Sequence, residues 1–189
     1  MMARSHLTTG LAAGSWVAGA GHGLGVPLPA AVLGGILVGY SALLPDLDHP
    51  GSTVTHSLGP ATRLVSWLLC LFVEHRGWTH TRSAAAVFGL PVALLALLVP
   101  APLGGPVMAV WWWACVFVGC CVHLWGDART MSGIPWPGRD RGYYTAVRDG
   151  RLRIGRVFST GSEVEASRLA WLYFPVSVMS WVGVALLVL

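Results

Sequence analysis

The sequence predicts an all-α fold: a polytopic transmembrane helical bundle of about five spans, with a short interfacial helix and metal-ligand motifs clustered at one membrane face. Three observations predict it. The 189 residues are 54% hydrophobic and only 11% charged, against roughly a quarter charged in a soluble domain. Apolar windows long enough to cross a bilayer recur along the chain. Charged residues are confined to a few segments that alternating spans would bring to one side.

Five windows read as spans: Leu7–Gly25, Leu28–Leu44, Ser83–Val99, Val107–Trp125 and Leu169–Leu189. The first carries Gly10, Gly14, Gly19 and Gly23 at four-residue spacing, and Gly35 and Gly39 repeat the pattern in the second. Small residues so spaced let helices approach closely in lipid, so the two are expected to pack as a hairpin turning at Pro27 and Pro29. No strand precedes this stretch, which argues against a phosphate-binding loop. The window is broken by glycines and runs into another span without a clear cleavage site, which argues against a signal peptide. Leu64–Val73 is too short to span and reads as an interfacial or re-entrant helix. Five spans consume over half the chain, leaving room for a single domain over residues 1–189.

The N-terminus, Pro45–Arg82 and Gly126–Arg168 contain every Arg, Asp and Glu, while His22–Pro29 and Pro100–Pro106 contain none. The positive-inside rule then puts the charged face and the N-terminus in the cytoplasm, and the C-terminus outside. That topology accounts for the net charge of +4 without nucleic acid as a partner. The partner is instead the lipid bilayer, the bacterial inner membrane in this reading. Cys70, Cys115, Cys120 and Cys121 lie in apolar runs without Cys-x-x-Cys spacing and read as small buried hydrophobes. Trp78, Trp125 and Trp136 read as an aromatic belt, or secondarily as the lining of a substrate entrance.

Six of the seven histidines also fall on the charged face. Pro45-Asp46-Leu47-Asp48-His49-Pro50 places two carboxylates and an imidazole at a span end stiffened by prolines. His75-Arg76-Gly77-Trp78-Thr79-His80 supplies two more imidazoles. His123 and Asp127 stand four apart and share a helix face. Singly, each is explained as a solvated cap or interfacial anchor. Together they form the mixed Asp/His set that Zn²⁺, Mn²⁺ or Fe²⁺ accepts, and a nearby cation would offset the cost of carboxylates near hydrocarbon. His22, on the uncharged side, and His56, outside the motifs, are expected to be dispensable for metal.

These stretches, in the order His6, Leu44–Pro50, His75–His80 and His123–Pro135, resemble the YdjM-like membrane-bound metal-dependent hydrolases, LexA-binding proteins associated with the inner membrane. Thr160-Gly161-Ser162-Glu163-Val164-Glu165 is similar to a further segment of that family before the last span. The residue after the last histidine of the second motif is commonly Ser and here is Thr81, which keeps the hydroxyl. The resemblance covers nearly the whole chain. It implies hydrolysis, and a likeness of the pattern to helical zinc phospholipases C and nucleases implies a phosphoester or lipid-like substrate.

The expected metal ligands are His6, Asp46, His49, His75, His80, His123 and Asp127. Asp46, His75, His80, His123 and Asp127 are expected to meet at one focus. The set is large enough for one or two ions, with Zn²⁺ favoured over Mn²⁺ or Fe²⁺. The metal would activate a water as nucleophile, with Asp48 or Glu165 as general base. Arg76 offers a fork for phosphate oxygens, or else snorkels to the interface. The competing function is a non-catalytic scaffold or regulatory protein. Its metal would be structural, and its cytoplasmic loop, with Arg139, Arg141, Arg148, Arg151, Arg153 and Arg156, would recruit an acidic partner. A transporter ranks lowest, because ionisable residues are missing from the middle of the spans.

Overall fold

A computed structural model describes residues 1–57, 59–135, 145–148, 151–154 and 158–186. Among these the chain is mostly helical. The helices are α1 (Ala3–Gly23), α2 (Leu28–Ser41), α3 (Thr53–Ser57), α4 (Pro60–Cys70), α5 (Arg82–Leu98), α6 (Pro106–Ala128), α7 (Glu163–Arg168) and α8 (Phe174–Leu186). A π-helical turn, Leu169–Tyr173, joins α7 to α8. Two helical stretches are long and apolar enough to cross a membrane: Leu28–Asp48, which is α2 with the turns after it, and Pro106–Ala128. Arg82–Leu98 is a shorter apolar helix. Leu94, Leu95, Leu98, Val107, Val110 and Met179 lie exposed on the outer faces of α5, α6 and α8, where lipid rather than water suits them.

The helix ends follow local chemistry. Thr81 caps α5, its hydroxyl accepting the Ala84 N–H at 3.3 Å, and Pro106 opens α6 after Gly105, which has a positive φ, the arrangement proline and glycine favour there. The helices α1 and α2 pack together as expected, but through only part of the glycine series. A Cβ on Gly14 would sit 2.0 Å from the Gly35 carbonyl oxygen, and one on Gly35 would sit 2.5 Å from that of Gly14. No side chain fits there, so backbone meets backbone. Gly19 and Gly23 face open space and take no part in the contact.

Three short strands interrupt the all-α expectation. β1 (Ile134–Pro135), β2 (Thr145–Arg148) and β3 (Arg151–Ile154) form an antiparallel sheet in the order β1-β3-β2. Ile134 pairs with Leu152, and both pack with Leu124 and Ala128 at the C-terminal end of α6. The sheet is therefore anchored beside the charged end of the bundle. Arg139, Arg141, Arg156 and Trp136 lie outside the described residues. All four cysteines are free, but Cys70 is exposed and Cys121 half-buried; α4 packs inward through Ser66 and Leu69, and Cys70 is its last residue.

A buried histidine and aspartate centre

The end of α6 supplies the innermost donors. His123 and Asp127, one helical turn apart, are fully buried. The His123 Nδ1 lies 2.8 Å from the Ala42 carbonyl oxygen just past α2. A carbonyl can only accept, so this contact places the ring proton on Nδ1 and turns the Nε2 lone pair inward. His80, also fully buried, ends a 3₁₀ turn (Trp78–His80) and brings its Nε2 to 3.2 Å from that of His123.

Asp46 comes from a second 3₁₀ turn (Leu44–Asp48), which ends the run begun by α2. Its Oδ1 lies 3.6 Å from both the His80 and the His123 Nε2. The Asp127 Oδ2 lies 3.6 Å from the His80 Nε2 and 3.7 Å from the His123 Nε2. Donors held 2.0–2.2 Å from a tetrahedral ion stand about 3.3–3.6 Å from one another. The Asp46, His80 and His123 atoms have that spacing, and the Asp127 Oδ2 stands at about the same distance from both imidazoles.

His6, from the first turns of α1, completes this inner region. It is fully buried and stacks on His123 with ring centroids 3.8 Å apart. Its Nε2 lies 3.2 Å from the Asp127 Oδ1, yet neither ring nitrogen makes a well-formed hydrogen bond, while the Asp127 Oδ2 faces the Arg76 guanidinium. Buried polar atoms without partners are costly. Donor atoms left in this state beside a carboxylate fit a divalent cation, and so does the donor chemistry.

Asp48 sits behind the cluster and organises it. One oxygen is 2.7 Å from the His75 Nδ1, and the other accepts the Arg76 backbone N–H at 3.1 Å and the Thr79 hydroxyl. That second oxygen also lies 3.4 Å from the His80 Nδ1. Burial by itself lowers the affinity of His80 for a proton, but the carboxylates of Asp127, Asp46 and Asp48 outweigh it and raise the pKa to about 10. Holding the Asp48 hydrogen bond, Arg76 has a φ of +59°, a conformation that residues other than glycine adopt rarely and mostly at functional sites. Its guanidinium lies 3.1 Å from the Asp127 Oδ2 and 3.4 Å from the Thr130 hydroxyl.

The expected single focus is divided into an inner and an outer set. In the inner one Asp46 groups with His80 and His123, and Asp127 with His123 and His6. His75 instead groups with Asp46 and Asp48, its donor atom within 4.8 Å of theirs. The cause is the 3₁₀ turn at His80, which carries His75 to the outer side of Asp48. Asp46 belongs to both sets. His49 is exposed and lies in neither: its Nδ1 accepts the Gly51 N–H at 3.1 Å, and its ring meets that of His75 edge-on at 4.9 Å. Glu165 is buried but also in neither, because its two oxygens accept the backbone N–H groups of Met2 and Gly161 at 2.7 and 2.8 Å. Burial alone would raise its pKa, yet the Gly161 and Met2 donors and the nearby N-terminal charge hold it below the usual carboxylate value. His22 lies at the far end of α1 and His56 contacts the Pro50 carbonyl oxygen, both outside the cluster.

Sequence reasoning left three contributors without a role at the centre: the Thr79 hydroxyl, the Ala42 carbonyl and the Met1 amino group, which ion-pairs with the Asp127 Oδ1. Thr79 lies inside the His75–His80 motif and could have been read there. The other two are backbone groups and leave no mark in residue type.

Fold and centre together define a class: a mostly helical protein with apolar helices long enough for a membrane and a buried His/Asp cluster with the spacing of a metal site. The chain belongs to the YdjM inner membrane protein family, whose model matches residues 1–188. No curated protein and no solved structure matches it.

Proposed function

We propose that this is a membrane-bound, metal-dependent hydrolase acting on phosphoester or lipid-like substrates at the cytoplasmic face of the bacterial inner membrane. The observation that carries the reading is the pair of donor sets joined at Asp46. The inner four donors could saturate one ion. The outer three, Asp46, Asp48 and His75, leave a coordination position open, and His75 is 40% exposed. Structural zinc is closed by four protein ligands, whereas a catalytic site keeps room for water. Zn²⁺ is the favoured ion, with Mn²⁺ and Fe²⁺ as alternatives, at one or two per chain.

A divalent ion at such a centre supplies an activated water and polarises the substrate oxygen. The chain's own residues do the rest. Asp48 orients His75 and His80, the Ala42 carbonyl fixes the tautomer of His123, and Arg76 presents a guanidinium fork beside Asp127 suited to phosphate oxygens. Neither carboxylate considered as general base is free for that role: the Asp48 oxygens are taken by His75, the Arg76 N–H and the Thr79 hydroxyl, and those of Glu165 by the Met2 and Gly161 N–H groups, which tether the start of α1 to α7.

The topology that goes with this reading has five spans, formed by α1, α2, α5, α6 and the helix that runs from Leu169 through α8. The helix α4 lies at the interface. The N-terminus and the centre are cytoplasmic, and the C-terminus is external. A reporter fused after Leu189 should report an external end; a cytoplasmic signal contradicts five spans.

The test of function uses the full chain, purified in detergent and offered chromogenic phosphomonoesters and phosphodiesters. Chelation should abolish turnover, and Zn²⁺ or Mn²⁺ should restore it. A protein that retains its metal yet turns over no phosphoester supports the second reading, a scaffold with a structural ion. Considered alone, the four-donor inner set fits that reading too.

A further inference from the structure

The donor cluster does not stand alone. A cavity of about 590 Å³ opens beside it, between the start of α5, the end of α6 and the small sheet, and His80 lines both. This volume falls within the range of small-molecule sites, roughly 300–1,000 Å³. Its walls are apolar: Leu124, Ile134 and Leu152 are buried, Ile154 is partly buried, and Trp125 is 42% exposed. Arg82, exposed, also lines it. A larger groove of about 790 Å³ lies between α1 and α8, but no titratable residue lines it. Of these two, the first joins an apolar wall to a donor, His80.

We propose that this cavity takes the hydrocarbon tail of a single-chain anionic amphiphile whose phosphate head lies at the end of the cavity lined by His80 and Arg82, next to the donor sets. The proposal rests on the hydrolase reading and narrows its substrate class. Three features select such an occupant. The apolar walls match a tail and offer it few polar partners. Thr81, Arg82 and Ser83 line the cavity beside His80, so its polar end is the end next to the donor sets. Arg82 on the cavity wall supplies positive charge for a phosphate head. Trp125, an amphipathic ring, suits an entrance at the level of the lipid head groups.

The test uses the full chain in phosphatidylcholine nanodiscs with a dodecyl phosphate carrying a diazirine at mid-chain. After illumination, peptide mapping should find the label on Leu124–Trp125 and Leu152–Ile154. Excess unlabelled dodecyl phosphate should remove it, and inorganic phosphate should not. Ile154→Trp, which fills the cavity with an indole, should cut labelling there about tenfold, while metal content shows that the centre remains assembled. Label confined to outer-face residues such as Leu94 and Met179, or competed equally by inorganic phosphate, overturns the proposal. The mapping on the unaltered chain decides even if Ile154→Trp does not fold. Labelling needs no turnover, so a labelled cavity in a protein without hydrolysis sinks the enzyme reading and leaves the tail site standing.

Discussion

The two donor sets differ most in what surrounds them. His6, His80, His123 and Asp127 have no exposed surface, and their positions are fixed by a helix end, a stacked ring and a backbone carbonyl. His75 is 40% exposed and is held through Asp48. Asp46, with 19% of its side chain exposed, links the two. The inner set is built to hold an ion in a dry, preorganised shell, and the outer set to exchange ligands with what arrives. Removing an inner donor should therefore disturb retention, whereas removing an outer donor should disturb chemistry first.

The largest effect is expected at the inner set. Asp127→Ala and His123→Ala should each lose their metal by more than the roughly 100-fold that an outer-shell change costs, and hydrolysis with it. His22→Ala should leave both intact. Each variant is first shown to run as a single species in detergent, and metal is then measured by elemental analysis. Full retention in Asp127→Ala breaks the distinction between the sets.

His75→Ala should separate the two functions. We expect turnover to be lost while at least half of the bound metal remains, read as metal per chain beside phosphoester hydrolysis. Equal loss of both would merge the sets into one site. Asp48→Asn should fall between these cases, with about 10–100-fold lower affinity or activity, because the amide still holds position but no longer offers a carboxylate to His75 and His80. Titration with a competing chelator measures it.

The smallest effect concerns the tether at Glu165. Its carboxyl is held below the usual value in the folded chain, so the stability it contributes is present above the unfolded pKa of about 4.3–4.5. That contribution is lost as pH falls through the lower, folded value. Thermal unfolding followed from about pH 5 to about pH 3 should fall more steeply for the native chain than for Glu165→Gln. Parallel curves would show that the tether adds no stability.

Much of this was legible in the residues. The spacing of His123 and Asp127 required one face of one helix, and that is how the end of α6 presents them. The glycines at 10, 14, 35 and 39 announced a close helix pair, although Gly19 and Gly23 looked identical in sequence and make no contact. The division of the donors was not legible. Whether His75 and His80 aim at one point depends on a 3₁₀ turn of three residues, and residue type does not fix so short a turn. The sheet had a readable trace: Arg151, Leu152, Arg153 and Ile154 alternate polar with apolar, a strand pattern easily lost within a basic loop. Glu165 carried the right chemistry for a base, but its oxygens answer to backbone N–H groups, which every residue has.

The most direct test of the two joined donor sets is anomalous diffraction at the zinc edge from crystals of the full chain grown with Zn²⁺. A peak bounded by Asp46, His80, His123 and Asp127, with a second between Asp46, Asp48 and His75, is the predicted result. No peak at the inner four donors, or zinc bound elsewhere in the bundle, would contradict it.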